Sequence, residues 1–168
     1  MKKWTLILLV SLMALSFLVV PASAKAPRTV YEGVSTCGPV TDAQERISKG
    51  GVLHARDGHL ACTTVVSDDR ISGEEQLTVN YNFKFADPPV FIYGPMWGTI
   101  RVSNEGGYWE GSWVGERTEL DGYSYIQAML RGYGDYEGLQ ARVDYIRENP
   151  DPAAPYQVYG VIMEPCGN

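Results

Sequence analysis

From about residue 28 onward, apolar and polar residues alternate with a period of two, and no segment sustains a helical repeat. A chain patterned this way buries one face of a pleated sheet and wets the other. The clearest case is "EQLTVNYNFKF", where Leu77, Val79, Tyr81, Phe83 and Phe85 share one face and Gln76, Thr78, Asn80, Asn82 and Lys84 the other. "GLQARVDYI" repeats the pattern, with Leu139, Ala141, Val143 and Tyr145 opposite Gln140, Arg142 and Asp144. Further strands are expected near 29–36, 51–56, 59–66, 90–93, 96–102, 107–117, 122–132 and 156–163. Between them stand turn signals such as "RDGH", "ISGEE", "SNEGG", "LDGY" and "GYGDYEG".

About eight short strands without crossover helices make an all-β meander. Glycines inside strands, at 98, 111, 115 and 160, are costly in a flat sheet and useful where strands bend at barrel corners. The meander could close into a barrel or fold over as a sandwich; a sandwich would need fewer such glycines, so the expected fold is a single closed antiparallel β-barrel. "TDAQERISKG" reads as a short helix or a loop, and "ENPDPAAPY" as a rigid loop before the last strand.

The first 24 residues have a different character. Lys2 and Lys3 precede an apolar run that ends in Ala22-Ser23-Ala24, the pattern of a cleaved secretory signal peptide. The run is shorter than the ~20 residues a spanning helix needs. Removal of residues 1–24 leaves 25–168 as one domain of 168 − 24 = 144 residues. Its charge is 12 − 20 = −8, because the leader carries two lysines and no acids. Such a surface argues against nucleic acid and, after cleavage, against an anionic membrane as partner. Export to an extracellular or periplasmic space lets disulfides persist. Of the three pairings open to Cys37, Cys62 and Cys166, Cys37 with Cys62 is favoured, since the two could face each other across neighbouring strands.

Reactive motifs are sparse. His54 and His59 are the only histidines, and no cysteine or carboxylate cluster completes a metal-ligand set around them. No glycine-rich stretch stands at a strand-to-helix junction where it would cradle a phosphate, and no serine occupies a nucleophile elbow. Neither a metal nor an organic cofactor is expected. Glu110, Glu116, Glu119 and Asp121 cluster in sequence and read first as a charged strand end and hairpin rim.

Aromatic wealth is the distinguishing feature, with eleven tyrosines and, beyond the leader, Trp97, Trp109 and Trp113. Such residues fill a core, or they line an apolar pocket with a few polar tips. In "GYWEGSWVGE" the alternation puts Trp109, Gly111, Trp113 and Gly115 on one face. Residues 96–102 can point either way. An inward Trp97 would bring Arg101 with it, whereas the opposite choice turns Met96, Gly98, Ile100 and Val102 inward. The candidate ligand-lining set is Tyr81, Phe83, Trp97, Arg101, Trp109, Trp113 and Tyr145.

The series "SDDRISG … PMWGTIRV … GGYWEGSWVGE … GYGDYEGLQARVDY … PYQVYGVI" resembles a group of secreted, mostly bacterial proteins of unassigned function. Their domain is similar to the allene oxide cyclase barrel and, more distantly, to the dirigent barrel. The resemblance spans roughly residues 60–163 and rests most on "GYWEGSWVG" and "GDYEGLQAR". It implies an eight-stranded antiparallel barrel with an apolar lumen. It also implies activities that depend on holding an apolar substrate in one conformation, which require no triad or metal. Three functions follow as expectations: a secreted barrel binding a small apolar or aromatic ligand, a cofactor-free cyclase or isomerase using the same lumen, or a packed structural barrel. Apolar residues on both faces of "QVYGVIM" point to a possible homo-oligomer.

Overall fold

The computed structural model describes residues 27–85, 92–118, 123–149, 151 and 153–165. Those residues form nine strands: β1 (Arg28–Cys37), β2 (Gln44–Ile47), β3 (Val52–Val66), β4 (Gly73–Phe85), β5 (Ile92–Asn104), β6 (Gly107–Arg117), β7 (Ser124–Gly134), β8 (Gln140–Arg147) and β9 (Tyr156–Met163). All belong to one sheet in the order β1-β9-β8-β7-β6-β5-β4-β3-β2, and a further pairing of β1 with β3 joins its ends. Every pairing is antiparallel. Eight strands thus make a closed, barrel-like ring, and β2 lies outside it as an extra partner of β3.

Closure shows in the register. Stepping through paired residues from Ala55 on β3, the path runs Tyr81, Met96, Gly115, Ile126, Tyr145, Val158, Gly33 and back to β3 at Val66. The offset of 66 − 55 = 11 residues means that the strands tilt strongly, as a closed sheet requires.

Three elements differ from the sequence reading. "RDGH" is not a turn: residues 51–56 and 59–66 merge into β3, with a bulge between Ala55 and Gly58 and Asp57 at φ 54°. The bulge shifts the alternation, so Ala55 and Gly58 both face inward and both are buried. "TDAQERISKG" contributes β2 instead of a helix, because the N-terminal half of β3 extends past β1 and offers a free edge that residues 44–47 pair with. Residues 92–93 of the expected strand 90–93 join 96–102 in one strand, β5, with Gly94 at φ 138° in the break of the β4 ladder, and residues 90 and 91 lie outside the described residues. The leader, Cys166 and residues 119–122 lie outside the described residues.

The lumen divides into two halves. At one end Trp109, Ile100, Leu130 and Ile162 are all fully buried. Trp109 stacks on Tyr136, with ring centroids 5.4 Å apart, and its Nε1 donates to the Arg70 carbonyl at 2.6 Å. Tyr136 OH donates to Asn104 Oδ1, while Asn104 Nδ2 donates to the carbonyls of Asp69, Arg70 and Ser72. The β3–β4 connection is thereby stitched across this end, with Ile71 buried in it. An ion pair of Arg70 with Asp68 at 2.7 Å stiffens the same connection and holds the Asp68 carboxyl below its ordinary range.

Two glycines admit rings that no larger residue would. A Cβ on Gly98 would collide with the Thr78 carbonyl and lie 2.9 Å from Trp113 Nε1, and one on Gly160 would run into the Tyr31 ring. They create room for inward aromatics as much as curvature. Cys37 and Cys62 are register partners across β1 and β3, and their sulfurs stand at disulfide distance, 2.06 Å. The pair clasps the two strands whose union closes the ring, and it fits an oxidising compartment.

Candidate functional site

The other half of the lumen is hollow. A cavity of about 440 Å³ lies between inward side chains of β3 to β7, chiefly Leu60, Leu77, Val79, Tyr81, Phe83, Met96, Trp113 and Ile126. That volume and apolar wall match a small-molecule pocket. The β1–β2 connection borders it through Gly38, Pro39 and Val40. The connection bonds along the β3 edge, from the Gly38 N–H to the Ala61 carbonyl and between Thr41 and His59, and a Cβ on Gly58 would come within 2.8 Å of Val40 Cγ1, so Val40 lies against the inward-facing Gly58. Tyr81 OH donates to Glu45 Oε1 on β2. Burial and that carboxylate together hold the Tyr81 phenol above its ordinary range.

Of the expected lining residues, Tyr81, Phe83 and Trp113 border the cavity. Trp113 Nε1 is shared between the carbonyls of Thr78 and Thr99, 3.2 Å from each, which fixes the indole as a wall. Trp109 and Tyr145 point inward but lie in the packed part. Trp97 and Arg101 do not point inward at all. The register pairs Met96 with Tyr81 and Ile100 with Leu77, so the inward face of β5 is Met96, Gly98, Ile100 and Val102. On the outside Trp97 receives the Arg56 guanidinium at 5.0 Å, and Arg101 covers the Tyr108 ring at 3.8 Å. Both are outer-surface cation–π pairs. Glu110 and Glu116 are exposed on the outer face of β6, and Glu119 and Asp121 lie outside the described residues.

Two groups of polar residues were not singled out by sequence reasoning. The first is a row at the cavity rim, where Arg117 on β6 pairs in register with Ser124 on β7, and Ser124 with Arg147 on β8. All three border the cavity. Arg147 is 8% exposed and lies over the Tyr156 ring at 4.7 Å. Burial, and then the neighbouring Arg147, lower the Arg117 guanidinium from its ordinary range.

The second group lies at the boundary between the halves. Glu75 is 2% exposed and accepts hydrogen bonds from Tyr145 OH at 2.7 Å and Ser35 Oγ at 3.1 Å. The Thr64 hydroxyl is buried near it without a hydrogen bond of regular geometry. Burial raises the Glu75 carboxyl above the carboxylate range against the pull of these hydroxyls. It also raises Tyr145 and Tyr31, each pushed further by the Glu75 charge. Tyr31 OH spends its proton on the Arg142 carbonyl at 3.3 Å. The signal for Glu75 was present in sequence, two residues before Leu77 on the same alternating face.

Neither histidine enters the site. His54 Nδ1 bonds Asn82 Oδ1 at 2.7 Å, and His59 is exposed. Among the described residues no three histidine, cysteine or acidic side chains converge as a metal site.

Fold and site together define an all-β ring of eight strands with one half of its lumen packed and the other hollow. No family model, curated protein or solved structure matches the chain.

Proposed function

We propose that this chain is a secreted binding protein of the allene oxide cyclase-like barrel type, which takes a small apolar or aromatic ligand into the hollow half of its ring. The observation that carries this reading is the cavity of about 440 Å³ walled by Leu77, Val79, Phe83, Met96, Trp113 and Ile126. Such a void removes apolar atoms from neighbours they would otherwise touch, and a chain selected only for packing would fill it. For the same reason a packed structural barrel is the weaker account. Secretion draws support from the Cys37–Cys62 pair at disulfide distance and from the leader pattern.

Native mass spectrometry of protein recovered from its own host's secretions should show a retained small molecule. A panel of lipids and phenols should raise the melting temperature. Repeated recovery of empty protein, together with no shift across the panel, would overturn the reading.

A second reading, a cofactor-free cyclase or isomerase in the same cavity, draws on Glu75. This carboxyl is the register partner of Cys62 and stands two residues from Leu77, behind the cavity wall, where a buried acid raised above its ordinary range would be unusual for a pure carrier. Under this reading the recovered molecule would be a product, and a precursor added to the protein would be converted. Under the binding reading it comes back unchanged.

A further inference from the structure

Resting on the cavity reading above, we propose that the ligand is an organic anion whose apolar body fills the cavity and whose head group, such as a carboxylate, is held by Arg117 at the rim. The chain as a whole is acidic, with 20 acids against 14 bases. The cavity has the opposite character. Among the described residues its only charged lining residues are Arg117 and Arg147, and no described aspartate or glutamate borders it.

Three neighbouring strands set the two guanidinium groups in one row, on either side of the small, buried Ser124. Burial, and then the Arg147 charge, lower the Arg117 guanidinium from its ordinary range, and an anion at Arg117 offsets both. The two arginines are also not equivalent. Arg147 is laid over the Tyr156 ring, which orients its plane. Among the described residues Arg117 makes no ion pair and its buried Nε has no hydrogen-bond partner. An orphaned N–H on a planar fork beside an apolar cavity fits the two oxygens of a carboxylate. A hydroxyl or amide head offers one acceptor and no charge, so it satisfies the row poorly. A cationic head is repelled.

Three probes with one tail separate the possibilities: decanoate, 1-decanol and decyltrimethylammonium, titrated calorimetrically into the purified protein. Decanoate is expected to bind at least about tenfold more tightly than decanol, with the cation weakest. Raising the salt concentration should narrow that gap, since the row lies at the rim. In Arg117→Gln the decanoate affinity should fall to that of decanol while decanol binding is unchanged, which also shows that the variant is folded. Arg117→Lys should keep part of the preference. Equal binding of decanoate and decanol to the wild-type protein would overturn the anion assignment and leave the cavity reading standing. Binding of none of the three would overturn both. If Arg117→Gln does not fold, the head-group ranking and its salt dependence in the wild-type protein decide alone.

Discussion

Trp109 and Trp113 stand four residues apart on the same face of β6, both nearly inaccessible, at 0% and 3% exposure. Their surroundings are opposite. The Trp109 ring meets Tyr136 and the β3–β4 connection, whereas Trp113 has the sheet behind it and the cavity in front. A strand tilted across the ring passes from one end of the lumen to the other within a few residues, so equal spacing on one face does not mean equal environment. One tryptophan completes a core. The other leaves a core unfinished, and the unfinished half is where we propose that a ligand binds.

The most forceful way to break this comparison is to truncate each ring. Trp109→Ala should cost close to 5 kcal/mol and Trp113→Ala closer to 3 kcal/mol, the two ends of the range of about 3–5 kcal/mol for buried aromatics. The first opens a new void in packed surroundings, while the second enlarges one that already exists and forfeits contacts on fewer sides. Urea denaturation with matched slopes would measure both. Equal losses would mean that the two halves are packed alike. Ligand affinity should respond in the reverse order, weakening in the folded Trp113→Ala protein and holding in Trp109→Ala.

A smaller effect tests the boundary between the halves. Because burial raises the Glu75 carboxyl, the folded state binds its proton more tightly than the unfolded chain does. That contribution is fully present below the ordinary carboxylate range, where the unfolded chain titrates, and is lost as pH rises through the higher folded value. Asp68 has the opposite sign, its contribution being present above the ordinary aspartate range and lost on acidification. Wild-type melting temperature should therefore decline as pH rises over the interval just above the ordinary carboxylate range. Glu75→Gln keeps an acceptor for Tyr145 and removes the titration, so its curve should be flat over that interval. An unchanged slope in the variant would assign the decline to another group.

Much of this was legible in the alternation. The face Leu77, Val79, Tyr81, Phe83 and the pair Trp109, Trp113 follow from a period of two, and so does an all-β ring of about eight strands. Strand 96–102 resisted because both of its faces carry apolar residues, and only pairing to Tyr81 and Leu77 sends Trp97 outward. β2 was hidden because its sequence is polar, and it forms only where β3 outruns β1. Glu75 and Arg117 extend the inward faces of β4 and β6 by one step each. Read alone, a charged residue at the end of an apolar series is assigned to solvent. Their burial depends on which strands lie across the lumen, a property of the closed ring and not of any one segment.

The central claim is that the lumen is hollow beside Trp113 and filled beside Trp109. Crystals pressurised with xenon test it most directly, because the gas settles in dry apolar voids and gives strong scattering. The account predicts xenon among Leu77, Met96, Trp113 and Ile126, and none around Trp109, Ile100 and Leu130. Side chains filling the first site, or xenon in the second, would contradict it.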